Sequence, residues 1–147
     1  MRAYLDSNAL IAAVEGPPAG PGLSSTILGC SGADTLVTSE LSLAEVLVKP
    51  LRDQDFALIE AYNSLLFGGS AARLQTIPIS RDILGRAASV RNQKTSIKLP
   101  DAIHIATAEI MGCDQILTGD KRWVAATQIP LTDITAFNLI GFLEMLS

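Results

Sequence analysis

Short apolar runs alternate along the chain with longer segments whose apolar residues recur at helical spacing. The first run, Arg2-Ala3-Tyr4-Leu5, is β-prone, and Asp6-Ser7-Asn8 cuts it off with residue types that stop strands and cap helices. A short helix is predicted over Ala9–Val14, a Pro/Gly loop over Gly16–Gly22, and a second helix over Leu23–Cys30. Thr35–Thr38 reads as the next strand, with Ser39 placed to cap the helix after it. Leu41, Ala44, Val46, Leu47 and Val48 make a broad helical apolar face, expected to end near Pro50. Asp53 is expected to open another helix, carrying Phe56, Leu58, Ile59, Tyr62, Leu65 and Leu66 and stopped by Gly68-Gly69.

Leu74–Ile79 alternates enough for a strand, and Pro78 restricts it to an edge or an end. Ser80 caps the predicted helix that holds Ile83, Leu84, Ala87, Ala88 and Val90. Pro100 suits the first turn of a helix over Ala102–Met111, and Gly112 suits its stop. Strands over Gln115–Thr118 and Ile129–Leu131 flank a short helix around Trp123, and a final helix is predicted from about Thr135 to Leu146. Strands alternating with helices point to an α/β fold: a mainly parallel central sheet with helices on both faces. With no internal repeat or dividing linker, residues 1–147 are expected to form a single domain.

Composition narrows the class. Apolar residues make up 48% of the 147 and charged residues 18%, which excludes a disordered chain. No segment resembles a membrane span or a signal peptide, so a cytoplasmic protein is expected, with Cys30 and Cys113 as free thiols. Net charge is −4, which argues against a nucleic-acid coat protein. Charge is nevertheless uneven: Arg81 to Lys98 carries +4, leaving −8 on the rest, so one basic segment stands ready for a phosphate backbone. Arg91, Lys94 and Lys98 would share a face there if the helix ran on, making them candidate RNA contacts.

Ligands of open α/β sheets bind beyond the carboxyl ends of the strands. Asp6 follows the first strand and Asp120 the strand ending at Thr118. Asp101 lies in the first turn of its helix, and Glu45 lies on the helix after the second strand. Each has an ordinary role open to it, as a helix cap, a partner of the helix dipole or a solvated side chain. Gathered together, they would repel one another unless a cation intervened. An oxygen-rich set poor in histidine and cysteine suits Mg²⁺ or Mn²⁺ and does not suit zinc. Glu40, five residues before Glu45, falls on another helical face. His104, the only histidine, lies one turn after Asp101 and is read as a packing or surface residue. Phe56, Ile59, Tyr62, Leu65 and Leu66 are read as core or dimer contacts and not as base-stacking platforms.

Tyr4-Leu5-Asp6-Ser7-Asn8-Ala9-Leu10-Ile11 resembles the opening of PIN-domain ribonucleases. Leu43-Ala44-Glu45-Val46-Leu47 is similar to their second acidic motif, and Leu99-Pro100-Asp101-Ala102-Ile103-His104-Ile105-Ala106-Thr107-Ala108 to their third. Leu117-Thr118-Gly119-Asp120-Lys121-Arg122-Trp123 resembles the fourth, with Trp123 where phenylalanine is commoner. The Gly16–Gly22 loop is richer in proline and glycine than the pattern calls for. The resemblance spans essentially the whole chain, and the length resembles the VapC-type toxins of toxin–antitoxin pairs. It implies a PIN-like (Rossmann-like) domain that cleaves RNA with one or two Mg²⁺ or Mn²⁺ ions. It also implies a homodimer and a small antitoxin protein encoded separately. Asp6, Glu45, Asp101 and Asp120 are implied as the catalytic, metal-site acids, with Ser7, Asn8 and Thr118 as polar supports. The rival expectations are a catalytically inactive PIN-like interaction module and a phosphotransfer receiver domain, for which no convincing phospho-acceptor and lysine pair is placed.

Overall fold

The computed structural model describes residues 1–15, 35–68 and 74–134. Its elements run β1 (Arg2–Leu5), α1 (Ser7–Glu15), β2 (Thr35–Ser39), α2 (Leu41–Arg52) and α3 (Phe56–Phe67). They continue with β3 (Leu74–Ile77), α4 (Arg81–Gln93), α5 (Leu99–Ile110), β4 (Gln115–Thr118), a 3₁₀ turn (Lys121–Ala125) and β5 (Leu131–Asp133). The strands form one sheet in the order β3-β2-β1-β4-β5, with all four pairings parallel. This is the expected α/β architecture. The loop at 16–22, the helix at 23–30 with Cys30, and the final helix lie outside the described residues.

Alternation along the strands divides the core between the two faces of the sheet. Ala3 and Leu5 of β1 pack with Ala9, Leu10 and Ala13 of α1, Val46 of α2, and Tyr62 and Leu65 of α3. Tyr4 points the other way, among Ile83, Ala87 and Val90 of α4, Ala102, Ile103 and Ile105 of α5, and Trp123. All these side chains are buried, so β1 is covered on both faces, as a central parallel strand should be. Along α3, Tyr62, Leu65 and Leu66 are buried in the core, while Phe56 is exposed.

Several boundaries differ from expectation, for local reasons. Pro50 does not end α2, which continues to Arg52 with Pro50 inside it and buried. A proline so near a helix end forfeits one backbone bond, and its carbonyl here accepts the Asp55 N–H at 2.9 Å. Asp53 does not open α3; it closes α2, and Gln54 turns the corner with φ 53°. Asp55 is the cap, its carboxylate accepting from the Leu58 N–H at 3.1 Å. β3 stops at Ile77, before Pro78, on the sheet edge where proline is tolerated. Ser80 caps α4 as expected, accepting from Ile83 N–H at 3.2 Å. Pro100 lies in the first turn of α5, and Gly112 beyond its end takes φ 65°, the left-handed conformation glycine adopts without strain. The last strand begins at Leu131, two residues later than predicted. Cys113 is a free, buried thiol.

Candidate metal and catalytic site

β1 and β4 are neighbours at the middle of the sheet, where the chain order reverses, and their carboxyl ends flank the crevice such sheets use for ligands. Asp6 follows β1 directly and is 3% exposed. Its backbone N–H donates to the Leu117 carbonyl of β4 at 3.2 Å, and its Oδ1 accepts from the Ala9 N–H at 2.8 Å. Asp6 therefore caps α1 while facing β4. Burial raises its carboxyl above the ordinary range and the Glu45 charge adds to the rise; the Thr118 hydroxyl and the Ala9 amide oppose it.

Thr118, at the end of β4, is also buried, and its Oγ1 accepts from the Asp120 N–H at 3.0 Å. The same hydroxyl favours the ionised form of the Asp6 carboxyl. Ser7 and Asn8 lie in the first turn of α1, Ser7 half-buried and Asn8 exposed. Asp120 begins the 3₁₀ turn, its Oδ1 accepting from the Arg122 N–H at 3.0 Å. The Arg122 guanidinium grips the same carboxylate, Nε to Oδ1 at 2.9 Å and Nη2 to Oδ2 at 2.5 Å, and reaches Asp101 Oδ2 at 3.8 Å. That clamp holds the Asp120 carboxyl below its ordinary value. Asp101, in the first turn of α5, is raised by burial and then by the Asp120 charge, against the pull of Arg122.

Glu45 lies on α2, whose start is joined to β1 by buried hydroxyls. Thr38 Oγ1 donates to the Leu5 carbonyl at 2.8 Å and lies 2.7 Å from Ser42 Oγ. The Glu45 carboxylate meets the Nε2 of His104 at 2.5 Å, and the Nδ1 of His104 lies 2.5 Å from the Tyr4 hydroxyl. His104 is 1% exposed. Its ring lies roughly parallel to that of Trp123, centroids 6.0 Å apart, and edge-on to Tyr4 at 5.8 Å. A packing role alone does not describe this histidine. Its sequence signal was its position three residues after Asp101, on the same helical face. Glu40 lies on no face of α2: it precedes the helix and is exposed.

The basic segment does not form the face its spacing suggested. α4 ends at Gln93; Lys94 caps it, and Lys98 belongs to the start of α5. Arg91 bends its Nε to the Ile97 carbonyl at 2.9 Å. The intervening turn breaks the helical spacing, although all three cations are exposed.

A metal ion fits this site by donor chemistry: of four carboxylates, Asp6 and Asp101 are held above their ordinary range by burial, with the charges of Glu45 and Asp120 adding to the rise. Asp120 is engaged by Arg122 and Glu45 by His104, so among the described residues no three acidic, histidine or cysteine side chains stand gathered around one point.

Comparison with known proteins supplies a family. A family model described as PIN domain matches residues 3–128. A sequence comparison with curated proteins finds no match. Among solved structures, a chain of the VapBC2 complex of Rickettsia felis bound to a promoter DNA fragment matches with TM-score 0.67 and 16% identity, over 90% of this chain and 98% of that one. A chain of a toxin–antitoxin complex from Klebsiella pneumoniae matches with TM-score 0.60 and 23% identity, over 90% and 98%. Mycobacterium tuberculosis VapC20, a toxin that cleaves the sarcin–ricin loop, matches with TM-score 0.62 and 16% identity, over 84% and 94%.

Proposed function

The chain belongs to the PIN domain family, and on that premise we propose that it is a Mg²⁺- or Mn²⁺-dependent endoribonuclease, the toxin of a toxin–antitoxin pair. The observation that carries the reading is the placement of Asp6 and Asp101. Two carboxylates held above their ordinary range stand at the ends of β1 and α5, with Asp120 and Glu45 charging the same region. Such a concentration of negative charge is costly in a bare fold, and a divalent cation relieves it.

Asp6 and Asp101 would hold one or two ions, with Asp120 and Glu45 assisting. When bound, Mg²⁺ or Mn²⁺ supplies Lewis-acid activation of water and offsets charge on the attacked phosphate. Asp6 is preset for this task because the Ala9 amide of α1 fixes its carboxylate. Asp120 becomes available when Arg122 releases it, and the freed guanidinium is then a donor for phosphate oxygens. In-line attack would leave a 5′-phosphate and a 3′-hydroxyl, with no side chain acting as covalent nucleophile. Lys94 and Lys98 remain exposed on the α4–α5 turn, ahead of Asp101, as phosphate contacts.

VapC20 is a toxin that cleaves the sarcin–ricin loop, and the Klebsiella structure is a toxin–antitoxin complex. By extension this chain would take an RNA substrate, form a homodimer, and be held by a separately encoded antitoxin in the cytoplasm. Exposed Val48, Leu51, Phe56 and Phe67 on α2 and α3 offer apolar surface for a partner to cover. No helix among the described residues is long and apolar enough to cross a membrane.

Cleavage of total cellular RNA by the purified protein tests the reading, with Mg²⁺, Mn²⁺ or EDTA and with Asp6→Asn and Asp101→Asn as controls. Metal-dependent products absent from both variants are expected; full activity in Asp101→Asn would refute it. The engagement of Asp120 by Arg122 favours the second reading, a non-catalytic interaction module. Calorimetric titration with Mn²⁺ separates the two, because a module need not bind the ion.

A further inference from the structure

Tyr4 and Glu45 come from opposite sides of His104, and neither is explained by packing alone. Tyr4 is a fully buried phenol on β1, where a strand facing apolar helices would place an aliphatic residue at no polar cost. His104 is a buried imidazole in the middle of α5, flanked by Ile103 and Ile105. Both polar groups are satisfied by each other and by Glu45.

Donor and acceptor rules give this chain of contacts a direction. An ionised Glu45 carboxylate only accepts, so the hydrogen between it and Nε2 belongs to the imidazole. On the other side of the ring, Nδ1 meets the Tyr4 hydroxyl at 2.5 Å. Burial, followed by the Asp6 charge, holds the Tyr4 phenol well above its ordinary range, so it remains a donor. Packing fixes the ring plane from two sides: Tyr4 meets it edge-on and Trp123 lies along it. Glu45, by contrast, is a long side chain still 32% exposed, with nothing else described to hold its end.

We infer that His104 is a positioning residue: its Nε2 holds the Glu45 carboxylate on the side of Asp6 and Asp101, and the Tyr4 hydroxyl at Nδ1, with Trp123 along the ring, fixes the imidazole that does so. The inference rests on the metal-site reading of Asp6, Glu45, Asp101 and Asp120. It adds the physical reason that Glu45, a long side chain six residues past the end of β2, has a defined place in the site. It also connects the third and fourth acidic segments, since His104 and Trp123 each follow their acid by three residues and pack against one another. Side chains that orient a ligand without touching the ion commonly change metal affinity when removed.

Two near-isosteric variants separate positioning from packing. The amide nitrogen of His104→Gln reaches roughly where Nε2 lies and still donates to Glu45. The shorter amide of His104→Asn overlaps Nδ1, retains Tyr4 and falls short of Glu45. Mn²⁺ affinity of the full-length protein is measured by calorimetry, alongside its metal-free melting temperature. His104→Asn is expected to bind Mn²⁺ about tenfold more weakly than wild type, and His104→Gln to stay within about threefold. Both should lose similar thermal stability, and the Asn–Gln difference should vanish in a Glu45→Ala background. Wild-type binding with Asn and Gln variants alike, or a difference that persists without Glu45, overturns the positioning inference alone. A wild-type protein that takes up no Mn²⁺ overturns the metal-site reading, and this inference with it.

Discussion

Replacing Trp123 with phenylalanine should leave stability nearly unchanged, although the residue is one of the largest buried side chains described. Two effects oppose one another. Phenylalanine removes two buried carbons, worth roughly 1.6 kcal/mol at about 0.8 kcal/mol per buried methylene. It also removes Nε1–H, which is buried with no partner among the described residues. An unsatisfied buried donor costs about 1–3 kcal/mol, so its removal returns a similar amount. The net change is expected within about 1 kcal/mol of zero, whereas Trp123→Ala, which empties the site beside His104, should cost about 3–5 kcal/mol. Urea unfolding of the three proteins, compared at equal m-value, measures both differences. A Trp123→Phe loss above about 2.5 kcal/mol would refute the reasoning, because it would mean that the indole N–H has a bonding partner in solution.

Other outcomes follow from the charges. Asp6 and Asp101 have carboxyls raised in the fold, so the stability they allow is fully present below the unfolded carboxylate value and is lost as pH rises through the folded one. Metal-free Asp6→Asn and Asp101→Asn should therefore be more stable than wild type at pH 7 and lose that advantage in acid, as chemical unfolding at the two pH values would reveal; equal stability at pH 7 would contradict the assigned shifts. Asp120 is lowered by Arg122, so Arg122→Gln should move the Asp120 titration upward, and carbon-detected NMR that finds it unmoved would show that the clamp does not form in solution. Asp55→Ala should cost about 1 kcal/mol through the lost cap of α3, while Asp53→Ala should cost much less; the reverse order in thermal melts would restore the earlier helix start.

Particular residues show how far the chain could be read. Asp6, Asp101 and Asp120 were legible because each lies within two residues of a strand end or in a first helical turn, where local signals are strong. Ser80, Pro100 and Gly112 were legible for the same reason: their effects are confined to one turn of backbone. Asp53 was misplaced because two candidate caps lie within three residues, and only the Asp55 carboxylate accepts the Leu58 N–H. The shared face of Arg91, Lys94 and Lys98 failed on a helix end that no nearby glycine or proline marks. His104 was undervalued because its partners, Tyr4 and Glu45, are 100 and 59 residues away in the chain.

By itself, then, the sequence determined the alternation of strands and helices, the parallel α/β class, and which acids terminate which elements. Those properties depend on periodicity and on capping chemistry, which act over a few residues. The tertiary structure decided which side chains share a hydrogen or a charge: Thr118 with the backbone of Asp120, Arg122 across Asp120 and Asp101, and His104 between Tyr4 and Glu45. Hydrogen bonds and ion pairs act over a few ångströms in space. Only the pairing of β1 with β4 and the packing of α2 and α5 bring those partners within that range.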